Sequence, residues 1–194
     1  MRTLKKQSGL FMAAFVLLGI MLGAATASAA ALRDDGIHFE PWIKISFLDF
    51  KEDLQEALDK GKKGLVVLFE QPGCGSCKKL HEINFADEKL VKFITDHFDV
   101  LQINLYGDNE VTGFDGKVLS EAKFSEQSKV NFTPTTVFYG KNGTEVFRMP
   151  GFFSKNFYKN GFEYVIDDGP GKGMSYPRWT REKRAQTAKE KTGS

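Results

Sequence analysis

Apolar positions change their spacing several times along the chain, and each change marks an element. Gly64 to Phe69 (Gly-Leu-Val-Val-Leu-Phe) is a short unbroken apolar run, which predicts a central strand covered on both faces. Ahead of it, Leu48, Phe50, Leu54, Ala57 and Leu58 recur at helical spacing as far as Lys60, and Gly61 supplies a stop. Gln71-Pro72-Gly73 breaks the strand, and a helix is predicted from Cys74 to about Phe85. Asp87 can cap a further helix with Leu90, Val91, Ile94 and Phe98 on one side, and Val100 to Leu105 reads as the next strand. Val111-Thr112 and Lys117-Val118-Leu119 flank Gly113-Phe114-Asp115-Gly116 as a small hairpin, after which Ser120 can cap a helix reaching about Lys129. Thr135 to Tyr139 and Glu145 to Met149 form a second hairpin around Gly140-Lys141-Asn142-Gly143. Ser154 to Ile166 is the closing helix, despite Gly161. Residues 30–45 lack periodicity, although Ile37, Phe39, Trp42, Ile43 and Ile45 are apolar enough to pack onto a domain. The order predicts an α/β fold whose first strands are parallel with helical crossovers and whose last two form an antiparallel hairpin. The sheet is therefore mixed and flanked by helices, with a small hairpin insertion.

The two ends of the chain read differently from its middle. Arg2, Lys5 and Lys6 precede an apolar run from Leu10 to Leu22, and Ala27-Ser28-Ala29 offers a cleavage site before Ala30. That is the layout of a secretory signal peptide, and the run is shorter than the roughly 20 residues of a membrane span. Residues 1–29 are accordingly expected to be a leader, either cleaved or kept as an N-terminal anchor, and the mature protein is expected in a periplasm. Residues 30–170 form one domain, a length that suits a single core without disulfides. Residues 171–194 are read as a basic, flexible tail: after Gly169-Pro170-Gly171, positions 172–194 hold seven basic and two acidic residues. Without Arg2, Lys5 and Lys6 the chain carries 24 basic and 25 acidic residues, a balance that does not suggest a nucleic-acid binder. The protein is expected to be a monomer.

Chemistry concentrates in Phe69-Glu70-Gln71-Pro72-Gly73-Cys74-Gly75-Ser76-Cys77-Lys78-Lys79-Leu80-His81. It holds the only two cysteines of the chain, spaced C-x-x-C at the start of a predicted helix. Two cysteines so close cannot staple distant parts of a fold. At a helix start, free N–H groups and the helix dipole favour a thiolate at Cys74, with Cys77 one turn deeper. The exposed thiolate can attack a substrate disulfide, and the second thiol can resolve the mixed disulfide. Gly75 and Ser76 are small enough to let a partner backbone approach, and Lys78 and Lys79 add positive charge. The competing chemistry is a metal site, because Cys74, Cys77 and His81 are spaced C-x2-C-x3-H. A fourth ligand would have to come from His38 or His97 through the fold. On its own terms His81 reads as a helix-surface histidine, and Glu70 reads equally as a strand-end surface carboxylate or as an acid serving the dithiol. Lys78 stands where a c-type haem motif needs histidine.

The run from Leu65 to Phe152 resembles the thioredoxin superfamily. The resemblance rests on the strand Leu65-Val66-Val67-Leu68-Phe69, on Cys74-Gly75-Ser76-Cys77, on Asn131-Phe132-Thr133-Pro134-Thr135, and on the hairpin ending Arg148-Met149-Pro150-Gly151. It implies a thioredoxin fold, a cis Pro134 facing the dithiol, and Thr133 as the neighbour that contacts substrate. Within the superfamily, Phe69-Glu70-Gln71-Pro72-Gly73-Cys74, Asn104-Leu105-Tyr106-Gly107-Asp108 with Phe114-Asp115-Gly116, and Phe132-Thr133-Pro134-Thr135 are similar to periplasmic thioredoxins of bacterial sulfur-oxidation clusters (SoxW-like). Such a protein would reduce disulfides of specific partners, among them a sulfur-carrier protein, and would draw electrons from a membrane thiol donor. It would need no cofactor or metal beyond the redox-active Cys74–Cys77 pair. The alternatives are a disulfide oxidase or isomerase of the same fold, and a non-enzymatic metal-binding assembly factor using Cys74, Cys77 and His81. Two departures from the family pattern stand out. Leu68 occupies the place of a buried acid six residues before the first cysteine, and Gly73 that of the tryptophan just before it.

Overall fold

The structure, a computed structural model, describes residues 31–193, so the leader expected at 1–29 lies outside the described residues. Its elements run α1 (Phe50–Asp59), β1 (Gly64–Glu70), α2 (Gly75–Lys79) continued as a π-helix (Leu80–Phe85), α3 (Glu88–His97) and β2 (Phe98–Asn104). They continue with β3 (Glu110–Thr112), β4 (Val118–Ser120), α4 (Glu121–Gln127), β5 (Thr135–Tyr139), β6 (Glu145–Pro150), α5 (Lys155–Ile166) and α6 (Tyr176–Thr192). No helix among the described residues is long and apolar enough to cross a membrane.

The main sheet has the order β2-β1-β5-β6, with β1 and β2 parallel and the other neighbours antiparallel. This is the mixed sheet expected from the sequence, and β3 pairs with β4 as the separate small hairpin. All seven residues of β1 are buried, as its unbroken apolar run implies for a strand with neighbours on both edges and helices on both faces. Strand alternation divides the core in two. Leu65, Val67 and Phe69 join Phe50, Leu54 and Phe124 under α1 and α4. Val66 and Leu68 join Leu80, Leu90, Ile94, Tyr158 and Phe162 under the opposite helices. Glu70 follows the second set by parity and so faces α2.

Asp87 and Ser120 accept backbone N–H groups at the starts of α3 and α4, as the sequence predicts, and Asp49, not expected as a cap, does the same for α1. Gly161 inside α5 is explained by close approach: a Cβ there would collide with Met149 Sδ of β6. The helix crosses the strand at that point, and any side chain would push it away.

Residues 31–48, aperiodic but apolar enough to pack onto the domain, form a strap across it, with Ile37 fully buried. It is held by a bridge between Leu32 and His38, by Lys44 N–H donating to Val100 O at 2.9 Å, and by Lys44 Nζ on Asp53 at 2.6 Å. The C-terminal part, expected as a flexible tail from residue 171, contains α6 instead. Trp179 is buried against Tyr164 and Tyr176 and donates from Nε1 to Asp167 Oδ2 at 3.2 Å. Tyr176 and Trp179 dock an otherwise polar helix, with Lys183 near Glu163 and Asp167 beside them.

Candidate active site

The dithiol sits at the carboxyl end of β1. Cys74 is the N-cap of α2 and is joined to Cys77 by a disulfide. Cys74 Sγ accepts the N–H of Cys77 at 3.0 Å and the hydroxyl of Thr133 at 3.2 Å. Donors of this kind stabilise a thiolate when the pair is reduced. Cys77 is fully buried while Cys74 retains 9% exposure, the arrangement expected of an attacking sulfur and a deeper resolving one. Gly75 and Ser76 are exposed, and a Cβ added at Gly75 would meet nothing within 4 Å. The Thr133–Pro134 peptide bond is cis, and Pro134 O accepts from Gly151 N–H at 2.7 Å, tying the segment to the end of β6. The structure therefore brings together Cys74, Cys77, Gly75, Ser76 and Thr133 around one surface, with Pro134 beside it.

Glu70 and His81 do not lie on the surface. Glu70 is fully buried and His81 is 2% exposed, so the surface readings of both residues are corrected. His81 lies one turn beyond Cys77, in the π-helical stretch, and both of its ring nitrogens meet carboxylates: Nε2 lies 2.7 Å from Glu70 Oε1 and Nδ1 lies 2.8 Å from Glu40 Oε1. Gln102 of β2 donates from Nε2 to Glu70 Oε2 at 3.0 Å and to His38 O at 2.8 Å. The His38 ring stacks on that of His81 with centroids 4.6 Å apart, and its Nδ1 lies 3.5 Å from Glu70 Oε2. Burial disfavours the charged forms of both Glu70 and His81, but the paired contacts outweigh it. The two histidines hold the Glu70 carboxyl below its ordinary value, and Glu40 and Glu70 push His81 up to about 9. His81 is thus an imidazolium held between two carboxylates.

This cluster was only partly legible. The sequence marks Glu70 and His81 as candidates and His38 only as a distant one, and carries no signal for Glu40 or Gln102. Glu40 and His38 belong to the aperiodic strap, and only a long-range fold brings them to β1. His97, the other histidine considered as a partner for the cysteines, bonds instead to Phe93 O at 2.8 Å in its own helix. Neither sulfur is joined to His81 by a hydrogen bond.

Comparison with known proteins agrees with this geometry. The thioredoxin-like domain family matches residues 50–166. A thioredoxin-fold protein from Helicobacter pylori is 21% identical with a TM-score of 0.53, over 69% of this chain and 88% of that one. A structure described as a candidate disulphide-isomerase from Bacteroides thetaiotaomicron is 22% identical with a TM-score of 0.50, over 64% and 93% of the two chains. Both likenesses are likenesses of fold. No curated protein matches. With a dithiol at the head of α2, a cis proline beside it and a family match over most of the described domain, this chain belongs to the thioredoxin-like domain family.

Proposed function

We propose that the protein is an extracytoplasmic thiol–disulfide oxidoreductase that reduces disulfides of specific partner proteins. The observation that carries this reading is the Cys74–Cys77 disulfide at the start of α2, with the Thr133 hydroxyl 3.2 Å from Cys74 Sγ. In the reduced enzyme, the Cys74 thiolate attacks one sulfur of a substrate disulfide and expels the other as a thiolate, which takes up a proton. Cys77, after losing its proton, attacks Cys74 Sγ in the mixed disulfide and releases the second substrate thiol. The substrate gains two electrons and two protons, and the enzyme is left as the Cys74–Cys77 disulfide. A membrane thiol donor then returns two electrons by the same exchange in reverse. Thr133 and Pro134 present the substrate chain to Cys74, and the open surface over Gly75 and Ser76 leaves it room.

The leader-like residues 1–29 support a periplasmic site of action, and the sequence likeness to SoxW-like thioredoxins supports a sulfur-carrier protein as the partner. Cys77→Ala should trap the natural substrate as a mixed disulfide on Cys74, visible as a reductant-sensitive adduct, whereas Cys74→Ala should trap none and abolish disulfide reduction. Unchanged reduction by Cys74→Ala would sink the assignment. The direction of transfer is read from the reduction potential of the pair. A reductase belongs near the roughly −270 mV of thioredoxin, and a value near about −120 mV would make the protein an oxidase instead.

A further inference from the structure

Next to the dithiol lies a second set of donor atoms that disulfide exchange leaves unused. His38, Glu70 and His81 each offer a donor atom within 4.8 Å of the other two, and the three residues are buried; against Glu70 the nearest ring atoms are His81 Nε2 at 2.7 Å and His38 Nδ1 at 3.5 Å. His38 Nδ1 is the informative atom. It is buried, and its contact with Glu70 Oε2, at 3.5 Å, is an ion-pair distance without hydrogen-bond geometry. A buried ring nitrogen left in that state carries a desolvation cost that a ligand would relieve.

The surrounding contacts have the form that supports metal ligands. A metal-bound histidine commonly donates its other ring N–H to a carboxylate, and ligating carboxylates are themselves hydrogen-bonded. His81 meets Glu40 through Nδ1, which leaves Nε2 turned to Glu70, and Gln102 donates to the Glu70 carboxylate. Glu40 and Gln102, which hold His81 and Glu70, also line a surface cleft of about 670 Å³. We propose that His38 Nδ1, His81 Nε2 and the Glu70 carboxylate bind a divalent cation of the zinc class, with Glu40 and Gln102 holding the ligands in place.

Two imidazoles and a carboxylate suit Zn²⁺ or Co²⁺, and three protein ligands leave a fourth position for water. Metal–ligand bonds of about 2.0–2.2 Å put neighbouring tetrahedral ligand atoms roughly 3.3 Å apart. The His81–Glu70 contact therefore opens from 2.7 Å, and the His38 ring tilts off its stack on His81 to aim Nδ1 at the ion. Binding releases the Nε2 proton of His81 to solvent, and with His81 then a neutral ligand a dication between Glu40 and Glu70 leaves no net charge in the buried cluster. This site differs from the C-x2-C-x3-H set, which needs free sulfurs, and from the expectation that the protein uses no metal. It requires nothing of the dithiol.

The test uses the full-length, chelator-treated protein in its disulfide form, in which the sulfurs are not available as ligands. Co²⁺ titration should reach one equivalent, with intense tetrahedral visible absorption that Zn²⁺ abolishes. His38→Ala should weaken Zn²⁺ binding at least about tenfold, as should Gln102→Ala, with His97→Ala unchanged. A weak octahedral Co²⁺ spectrum, an affinity untouched by His38→Ala, or binding that appears only after reduction would each overturn the proposal. Should His38→Ala fail to fold, NMR of the unmutated protein decides the matter. Zn²⁺ must shift the ring resonances of His38 and His81 and leave those of His97 in place; shifts at His97 alone, or none, overturn it.

Discussion

At the scale of single residues, the most informative position is Glu70. Leu68 stands at the position expected to carry an acid, and it packs in the apolar cluster under α2. Glu70 lies two residues further along the same strand face, roughly 7 Å on, and is buried there on His81. The face therefore keeps its carboxylate but displaces it towards the π-helical turn. Glu70→Gln should drop the His81 pKa from about 9 towards the ordinary histidine range in a ring-proton NMR titration; a value still near 9 would show that Glu40 alone holds the imidazolium. The same pair sets a pH window for stability. The folded value for His81 lies above its unfolded value near 6.5, so its contribution is full below about pH 6.5 and is lost as pH rises through about 9. Chemical denaturation of the metal-free protein should record a fall of up to roughly 3 kcal/mol over that interval, and Glu70→Gln should flatten it. Glu70 acts in the opposite sense. Its depressed carboxyl adds stability above the unfolded carboxylate range, and this is lost in acid. No periodicity could have revealed the burial of His81, since the carboxylates that receive it lie outside its own helix, one of them Glu40 of the strap.

At the scale of elements, local chemistry was enough wherever an element is defined by its own residues. The β1 run, the Asp87 and Ser120 caps and the Gly140–Gly143 turn each produce what they signal. The change from α to π geometry at Leu80 was not legible, because it depends on what Leu80, His81, Asn84 and Phe85 meet in the core. Gly161 was legible only as an anomaly. An alanine there would gain about 1 kcal/mol of helix propensity, yet its Cβ would overlap Met149 Sδ, and overpacking of that kind typically costs about 1–3 kcal/mol. Gly161→Ala should therefore lower the thermal midpoint. Combined with Met149→Ala it should cost less than the sum of the two, and strict additivity would refute the contact.

At the scale of the whole molecule, the two ends of the described chain matter more than their composition suggests. The strap lacks a pattern because its partners lie far off in sequence, at Val100, Gln102 and Asp53. Eight of the seventeen residues of α6 are charged, and Tyr176 and Trp179 pack it against Tyr164. Trp179→Ala removes a buried indole, a change that costs about 3–5 kcal/mol in a closed core. At a terminal helix the loss should appear as local opening. Amide exchange should rise through α6, while β1 exchange and disulfide reduction stay as they were. Equal loss of protection in β1 would mean that the domain and α6 unfold together.

The division of β1 into two faces has a further consequence for how the chain can change length. Leu65, Val67 and Phe69 belong to one core cluster, while Val66 and Leu68 belong to the other and Glu70 shares their side. A single-residue deletion between Gly64 and Glu70 would exchange the two sets. Phe69 would be driven towards His81, and the carboxylate would be driven into the phenylalanines at Phe50 and Phe124. Insertions and deletions are thus confined to the surrounding loops, and the spacing from Gly64 to Glu70 behaves as a fixed ruler along the strand that leads to the dithiol.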